Sequence, residues 1–227
     1  MKKITVVLLL VALVACKQPG SNNNYEALFT KSMQVKDYQS AITAIQFLLL
    51  EDSTNKMYLD TLPELYAGVQ NYAASEHYTD IALKSYPTNE RYLQLKALCL
   101  QQTGKLEGVM DIYNKLYAAT QKITYLYQIA AFQFSAQDMQ AAEASLKLLE
   151  EKMVNSKDSV DFMVSESEKQ KVPVRAAVYN MKAYMVAQKR DLAGAKKYFE
   201  MAIKEYPDFI TARQNLQQLM QGGRERQ

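Results

Sequence analysis

Apolar residues are distributed in two different ways along this chain. Ile4 to Ala15 is an uninterrupted run of twelve residues in which only Thr5 is polar, led by the basic start Met1-Lys2-Lys3. As a helix it would reach roughly 18 Å, well short of a hydrocarbon core of about 30 Å, so it reads as the apolar region of an export signal over 1–15 and not as a membrane span. Lys17 to Asn24 is polar, rich in breakers and without apolar period, which predicts a flexible tether over 16–24. Beyond it, apolar positions recur at helical spacing between short polar turns.

Those helical segments repeat. Ser85-Tyr86-Pro87 and Glu205-Tyr206-Pro207 close near-identical phrases, and counting back from the prolines gives a period of about 34 residues. Units starting at Lys56, Glu90 and Ala176 bring packing residues to matching slots: Leu93, Ala97, Leu100, Val109, Tyr113 and Leu116 in one unit correspond to Tyr179, Ala183, Val186, Ala195, Phe199 and Ala202 in another. Weaker units start near Asn22 and near Thr124. In the Thr124 unit, Tyr127, Ala131 and Phe134 are followed by Ala142, Leu146 and Leu149 one residue early, which a shortened turn between the paired helices would explain.

This pattern resembles the tetratricopeptide repeat (TPR), most specifically over Arg190 to Pro207, where the second helix and its closing proline lie close to the consensus. The resemblance implies an all-α fold: a right-handed α-solenoid of about five helix-turn-helix units over 25–221, ending in a capping helix over Ile210 to Gln221, with a disordered tail at 222–227. Three positions depart from the pattern. Pro63 stands where a small residue inside the first helix is usual, so that helix either starts late or kinks. Lys182 takes an apolar slot of the last unit and the large Phe29 a small slot of the first; tryptophan, common in the family, is absent.

The period breaks once. Between the fourth and fifth units about eighteen extra residues, 158–175, carry Val160, Phe162 and Val164 in alternation, a polar stretch from Ser165 to Gln170, and then Val172 and Val174. Period two is compatible with a short β-hairpin; a loop pinned by a few apolar residues is the alternative.

Composition sharpens the picture at the N-terminus. The 227 residues hold 27 Lys+Arg against 24 Asp+Glu, but Lys2 and Lys3 leave with the signal, so the mature chain is nearly neutral and a charge-led nucleic-acid binder is excluded. Leu13-Val14-Ala15-Cys16 resembles a bacterial lipobox, with Cys16 as the acylated first residue of the mature chain. An ordinary secretory signal with a chance cysteine is the alternative. The resemblance implies a lipoprotein of the cell envelope, and Lys17, where an inner-membrane lipoprotein commonly has aspartate, favours the outer membrane facing the periplasm.

Candidate chemistry is sparse. His77 is the single histidine, so a His-based metal cluster or charge-relay triad lacks its parts. Cys99 sits among Ala97, Leu98 and Leu100 and reads as a packing residue. Glu150 and Glu151 read as solvated charge. No catalysis, cofactor or metal is therefore expected. TPR proteins hold peptides in a groove lined by fixed positions of the first helix, and the resemblance places Arg91, Gln94, Gln101, Tyr125, Gln128, Phe132, Asn180 and Tyr184 there. Aromatic rings beside amides suit an extended peptide or a partner helix. The expected function is that of a lipid-anchored TPR scaffold mediating protein–protein interactions in the envelope; binding of glycan or peptidoglycan fragments is the alternative.

Overall fold

The computed structural model describes residues 21–165 and 168–224, except for the side chains of residues 21–23 and 222–224. The expected signal over 1–15, the expected acylation site Cys16 and the expected tether up to Gly20 lie outside the described residues, as do residues 225–227. Eleven helices and two strands make up the described chain, which divides after Asn71 into two compact units.

The first unit contains α1 (Ser21–Gln34), α2 (Tyr38–Glu51) and α3 (Lys56–Gly68). Helix α1 thus begins inside the stretch expected to be tether. The Asp37 carboxylate accepts a hydrogen bond from the Ser40 amide and starts α2, and the Asn55 side chain does the same for α3 through the Tyr58 amide. Buried Ala41, Ile42, Ala44, Ile45 and Leu48 form the inward face of α2, and Leu62 and Leu65 that of α3. The rings of Tyr25 and Phe47 stack at 4.5 Å, and Phe29 meets Tyr58 edge-on at 6.0 Å. Because α3 runs from Lys56, Pro63 lies in its middle and not in its first turn.

The second unit contains α4 (Tyr72–Ser85), α5 (Glu90–Gln102), α6 (Leu106–Thr120), α7 (Ile123–Ser135), α8 (Met139–Lys152), strands β1 (Ser159–Met163) and β2 (Lys169–Pro173), then α9 (Val174–Gln188), α10 (Leu192–Glu205) and α11 (Ile210–Arg224). Side-chain oxygens of Asn89, Asp138 and Asp191 cap α5, α8 and α10. One apolar cluster joins α5, α6 and the start of α7 around Leu93, Ala97, Val109 and Leu116. A larger one joins α7 to α11 around Leu126, Ala130, Leu146, Leu149 and Val178. Lys182, the misfit of the repeat pattern, reaches Glu150 with its ammonium and lies 5.3 Å from the centre of the Tyr198 ring.

The helix-turn-helix joints share one backbone device: Lys36, Gln70, Gly104, Gln137 and Arg190, in the five successive turns, all have positive φ between 59° and 73°. Counted from them, the units starting near Asn22 and at Lys56, Glu90 and Ala176 are in register. The fourth unit is not, and its start moves to Ile123. Only Gln121 and Lys122 separate α6 from α7, whereas Tyr86 to Asn89 separate α4 from α5. The turn from α7 to α8 is as long as that from α5 to α6. The shortening therefore lies ahead of the fourth pair, where the left-handed Gln121 ends α6 at once, and not between its helices. Leu126 and Ala130, not Tyr127 and Ala131, occupy the slots of Leu93 and Ala97.

The insertion is a β-hairpin. Strands β1 and β2 pair antiparallel with Val160 opposite Val172, Asp161 opposite Lys171 and Phe162 opposite Gln170. Alternation puts Val160, Phe162 and Val172 on the inner face, where they join the cluster of α7 to α11, and leaves Ser159, Asp161, Lys169 and Lys171 outward. Gln170 fastens the hairpin to the turn before α11: its amide donates to the Asp208 carbonyl at 2.6 Å, and its side-chain oxygen accepts from the Ile210 amide at 3.2 Å.

Candidate functional site

Gln94, Leu98 and Gln101 recur along one face of α5, at the spacing that stacks side chains on a helix. Thr124, Tyr125 and Gln128 face them from the first two turns of α7. With Tyr113 of α6 they form the helical side of a groove of about 590 Å³, whose other side is the outer face of the hairpin, Ser159, Asp161, Lys169 and Lys171.

A fixed hydrogen-bond network holds the helical side. The Glu90 carboxylate, at the start of α5, receives the Lys122 ammonium at 2.7 Å and the Tyr125 hydroxyl. The Gln94 amide donates to that hydroxyl, and the Gln101 amide donates to the Tyr113 hydroxyl at 3.2 Å. Hydrogen bonds from Lys122 and Tyr125 hold the Glu90 carboxyl below the usual carboxylate range. Burial, and then donation to Glu90, push the Tyr125 hydroxyl up to about 12, so it stays a neutral donor at physiological pH.

The structure brings together four of the eight residues expected in a groove: Gln94, Gln101, Tyr125 and Gln128. Tyr125 is itself buried in the α5–α6 cluster and only its edge is shared with the groove. The remaining four lie elsewhere. Arg91 is exposed on α5 outside the groove lining, and Phe132 packs against the α5–α6 cluster. Asn180 is only 4% exposed and accepts from the Asn215 amide of α11 at 3.1 Å. Tyr184 sets its ring edge-on against Phe199 at 5.6 Å. Asn180 is thus sealed by the capping helix and Tyr184 braced by α10, and neither lines the open groove. The hairpin residues were missed because a repeat pattern assigns no place to an insertion. Their signal was the polar half of the alternation whose apolar half is Val160 and Phe162.

Two other residues singled out by their chemistry have structural surroundings. Cys99 is fully buried, with its sulfur 3.2 Å from the Ser75 hydroxyl, and burial pushes the thiol up, away from reactivity. His77 is exposed within α4, edge-on to Tyr78. Among the described residues no group of three His, Cys, Asp or Glu side chains could hold a metal ion, and no helix is long and apolar enough to cross a membrane.

No protein-family model matches the sequence, and no curated protein matches it either. Solved structures do. A crystal structure of MamA superposes with a TM-score of 0.58 at 13% identity, covering 81% of this chain and 91% of its own. The TPR protein YrrB, described as having an unusual peptide-binding site, gives 0.58 at 12%, covering 84% and 89%. A chain of the Naa15/Naa10 complex bound to HypK-THB gives 0.62 at 15%, covering 88% of this chain and 29% of that one. Identities this low bear on the fold alone. That likeness, the five left-handed turns and the alternating helix pairs show a chain with the fold of tetratricopeptide-repeat proteins, interrupted by a β-hairpin before its last pair.

Proposed function

We propose that this protein is a lipid-anchored scaffold of the bacterial cell envelope, held through acylated Cys16 on the outer membrane facing the periplasm, that binds a segment of another protein and catalyses nothing. The observation that carries this reading is the groove between α5, α7 and the hairpin. It is open to solvent, lined by amides, and the half-buried side chain of Gln128 makes no hydrogen bond within the described residues. Amides in that state are complementary to a peptide backbone, whose donors and acceptors need partners once removed from water. The peptide-binding site named for YrrB and the HypK-bound state of the Naa15/Naa10 complex agree with such a use of the fold.

Photo-crosslinking amino acids placed at Gln101 and Gln128 in living cells, followed by mass spectrometry, should capture one envelope protein through a defined segment. Crosslinks to cell-wall sugar alone would replace the scaffold by a glycan-binding protein. Cys16→Ser should move the protein from the membrane to the soluble fraction with its helix content unchanged; retention on membranes would refute the anchor.

A further inference from the structure

The two sides of the groove differ in charge. On the helical side, Glu90 and Lys122 neutralise each other, and the Gln94 and Gln101 side chains each donate an N–H to a tyrosine while their side-chain oxygens accept nothing within the described residues. The hairpin side is basic. Lys169 and Lys171 outnumber Asp161, and neither lysine has a carboxylate within ion-pair distance among the described residues. Lys96, Lys105, Lys122, Lys182 and Lys189, elsewhere in the same unit, each have at least one, whereas other exposed lysines such as Lys115 and Lys147 do not line the groove. Two ammonium groups against the single carboxylate of Asp161 leave a net positive potential on one wall of the groove, which an anion relieves.

Strand geometry states what kind of anion fits. Lys169 and Lys171 stand two residues apart on the same strand face, about 7 Å. An extended peptide repeats its side chains at the same interval, so acidic residues at alternate positions would meet both lysines. Gln94 and Gln101 are about 10 Å apart along α5, the length of about three residues of extended chain. A helical ligand would leave these amides unused, because its backbone groups are already bonded to one another. Leu98, 38% exposed between the two glutamines, adds an apolar contact.

We infer that the hairpin is the specificity element of the groove, and that the occupant is an extended protein segment with acidic side chains at alternate positions. The inference rests on the scaffold reading and adds the chemistry of the partner. Its test is fluorescence anisotropy on the purified protein with a labelled peptide of about ten residues carrying Glu at alternate positions, against the same peptide with Lys. The acidic peptide should bind more tightly, and its affinity should fall as salt rises from about 50 to 500 mM. Lys169→Glu with Lys171→Glu should weaken it about tenfold, and Lys169→Gln with Lys171→Gln by less. Both pairs should retain the wild-type circular dichroism, since these side chains are exposed. Equal binding of the two peptides, no binding of either, an unchanged affinity after charge reversal, or lysine-dependent binding only to phosphatidylglycerol vesicles would each overturn the inference. If in-cell crosslinking captures the same protein with and without the reversal, the hairpin has no selective role and the scaffold stands; if no groove position captures a protein, the scaffold reading itself falls.

Discussion

Phe162, on the first strand of the hairpin, meets Phe209, in the turn before α11, edge to face with ring centroids 4.9 Å apart. Tyr127 of α7 also packs against Phe162, with ring centroids 6.3 Å apart. An isolated two-stranded hairpin is marginal in water, so these contacts, with buried Val160 and Val172, are what hold the strands in place.

Phe162→Ala should therefore cost roughly 2 kcal/mol of stability, less than a fully buried phenylalanine because the ring is half-exposed. In urea unfolding the midpoint should drop, and amide exchange should rise in the hairpin and at the start of α11 while that of α5 stays near wild type. A loss under about 0.5 kcal/mol would mean that the hairpin rests on the helices without being part of their core.

Tyr125 and Gln128 separate stability from binding at one groove. Tyr125→Ala removes a buried ring and should cost about 3 kcal/mol; Tyr125→Phe, which loses only the bonds to Glu90 and Gln94, about 1 kcal/mol. Gln128→Ala should leave the melting temperature within a degree or two, because its amide has no internal partner, yet reduce partner crosslinking several-fold. Undiminished crosslinking in Gln128→Ala would remove this residue from the binding surface.

Glu76 on α4 makes the fold sensitive to acid. Burial alone would raise its carboxyl, but hydrogen bonds from Lys105 and Lys96, at 2.8 and 3.0 Å, outweigh that and hold it below the usual value. A group with a lowered folded pKa contributes stability above its unfolded pKa, about 4.3 for Glu, and loses it as pH falls through the folded value. Thermal melts should thus be flat from neutral pH to about 5 and decline below about 4.3. Glu76→Gln should lower stability at pH 7 by about 1 kcal/mol and shrink the acid decline. An identical acid slope in the variant would assign the effect to other carboxylates.

The left-handed turns give a prediction of opposite signs. Gly104 has φ +73° with open space where a Cβ would stand, so Gly104→Ala should lose about 1 kcal/mol through backbone strain alone. Gln137, at φ 62° in the equivalent turn, should tolerate Gly with a gain of about 0.5 kcal/mol, strain relief exceeding the added freedom of the unfolded chain. Denaturation midpoints moving in the same direction for both would show that φ does not govern these turns.

The helix pairs were legible because their punctuation is local: Asn55 and Asn89 cap helices that begin at the expected Lys56 and Glu90, and Pro87 and Pro207 stand just beyond α4 and α10. The fourth pair slipped by a residue because Gln121, an ordinary side chain in a left-handed conformation, ends α6 without the glycine that would have marked it. Alternation allowed a hairpin at 158–175 but carried no information about what it packs against. Likewise, nothing local announces that Asn180 meets Asn215 or that Lys169 and Lys171 face α5. Those juxtapositions come from how helices stack, so half of the candidate groove followed from the repeat and its charged wall did not.

Repeat arrays ordinarily gain or lose units by duplication, because each unit touches only its neighbours. The bridge from Gln170 to the backbone of Asp208 and Ile210 removes that freedom at the C-terminal end. A further 34-residue pair placed between α10 and α11 would carry the turn before α11 away from Gln170, and Phe209 away from Phe162. The hairpin thereby fixes where the array ends, and lineages of this protein should vary in unit number only upstream of α7.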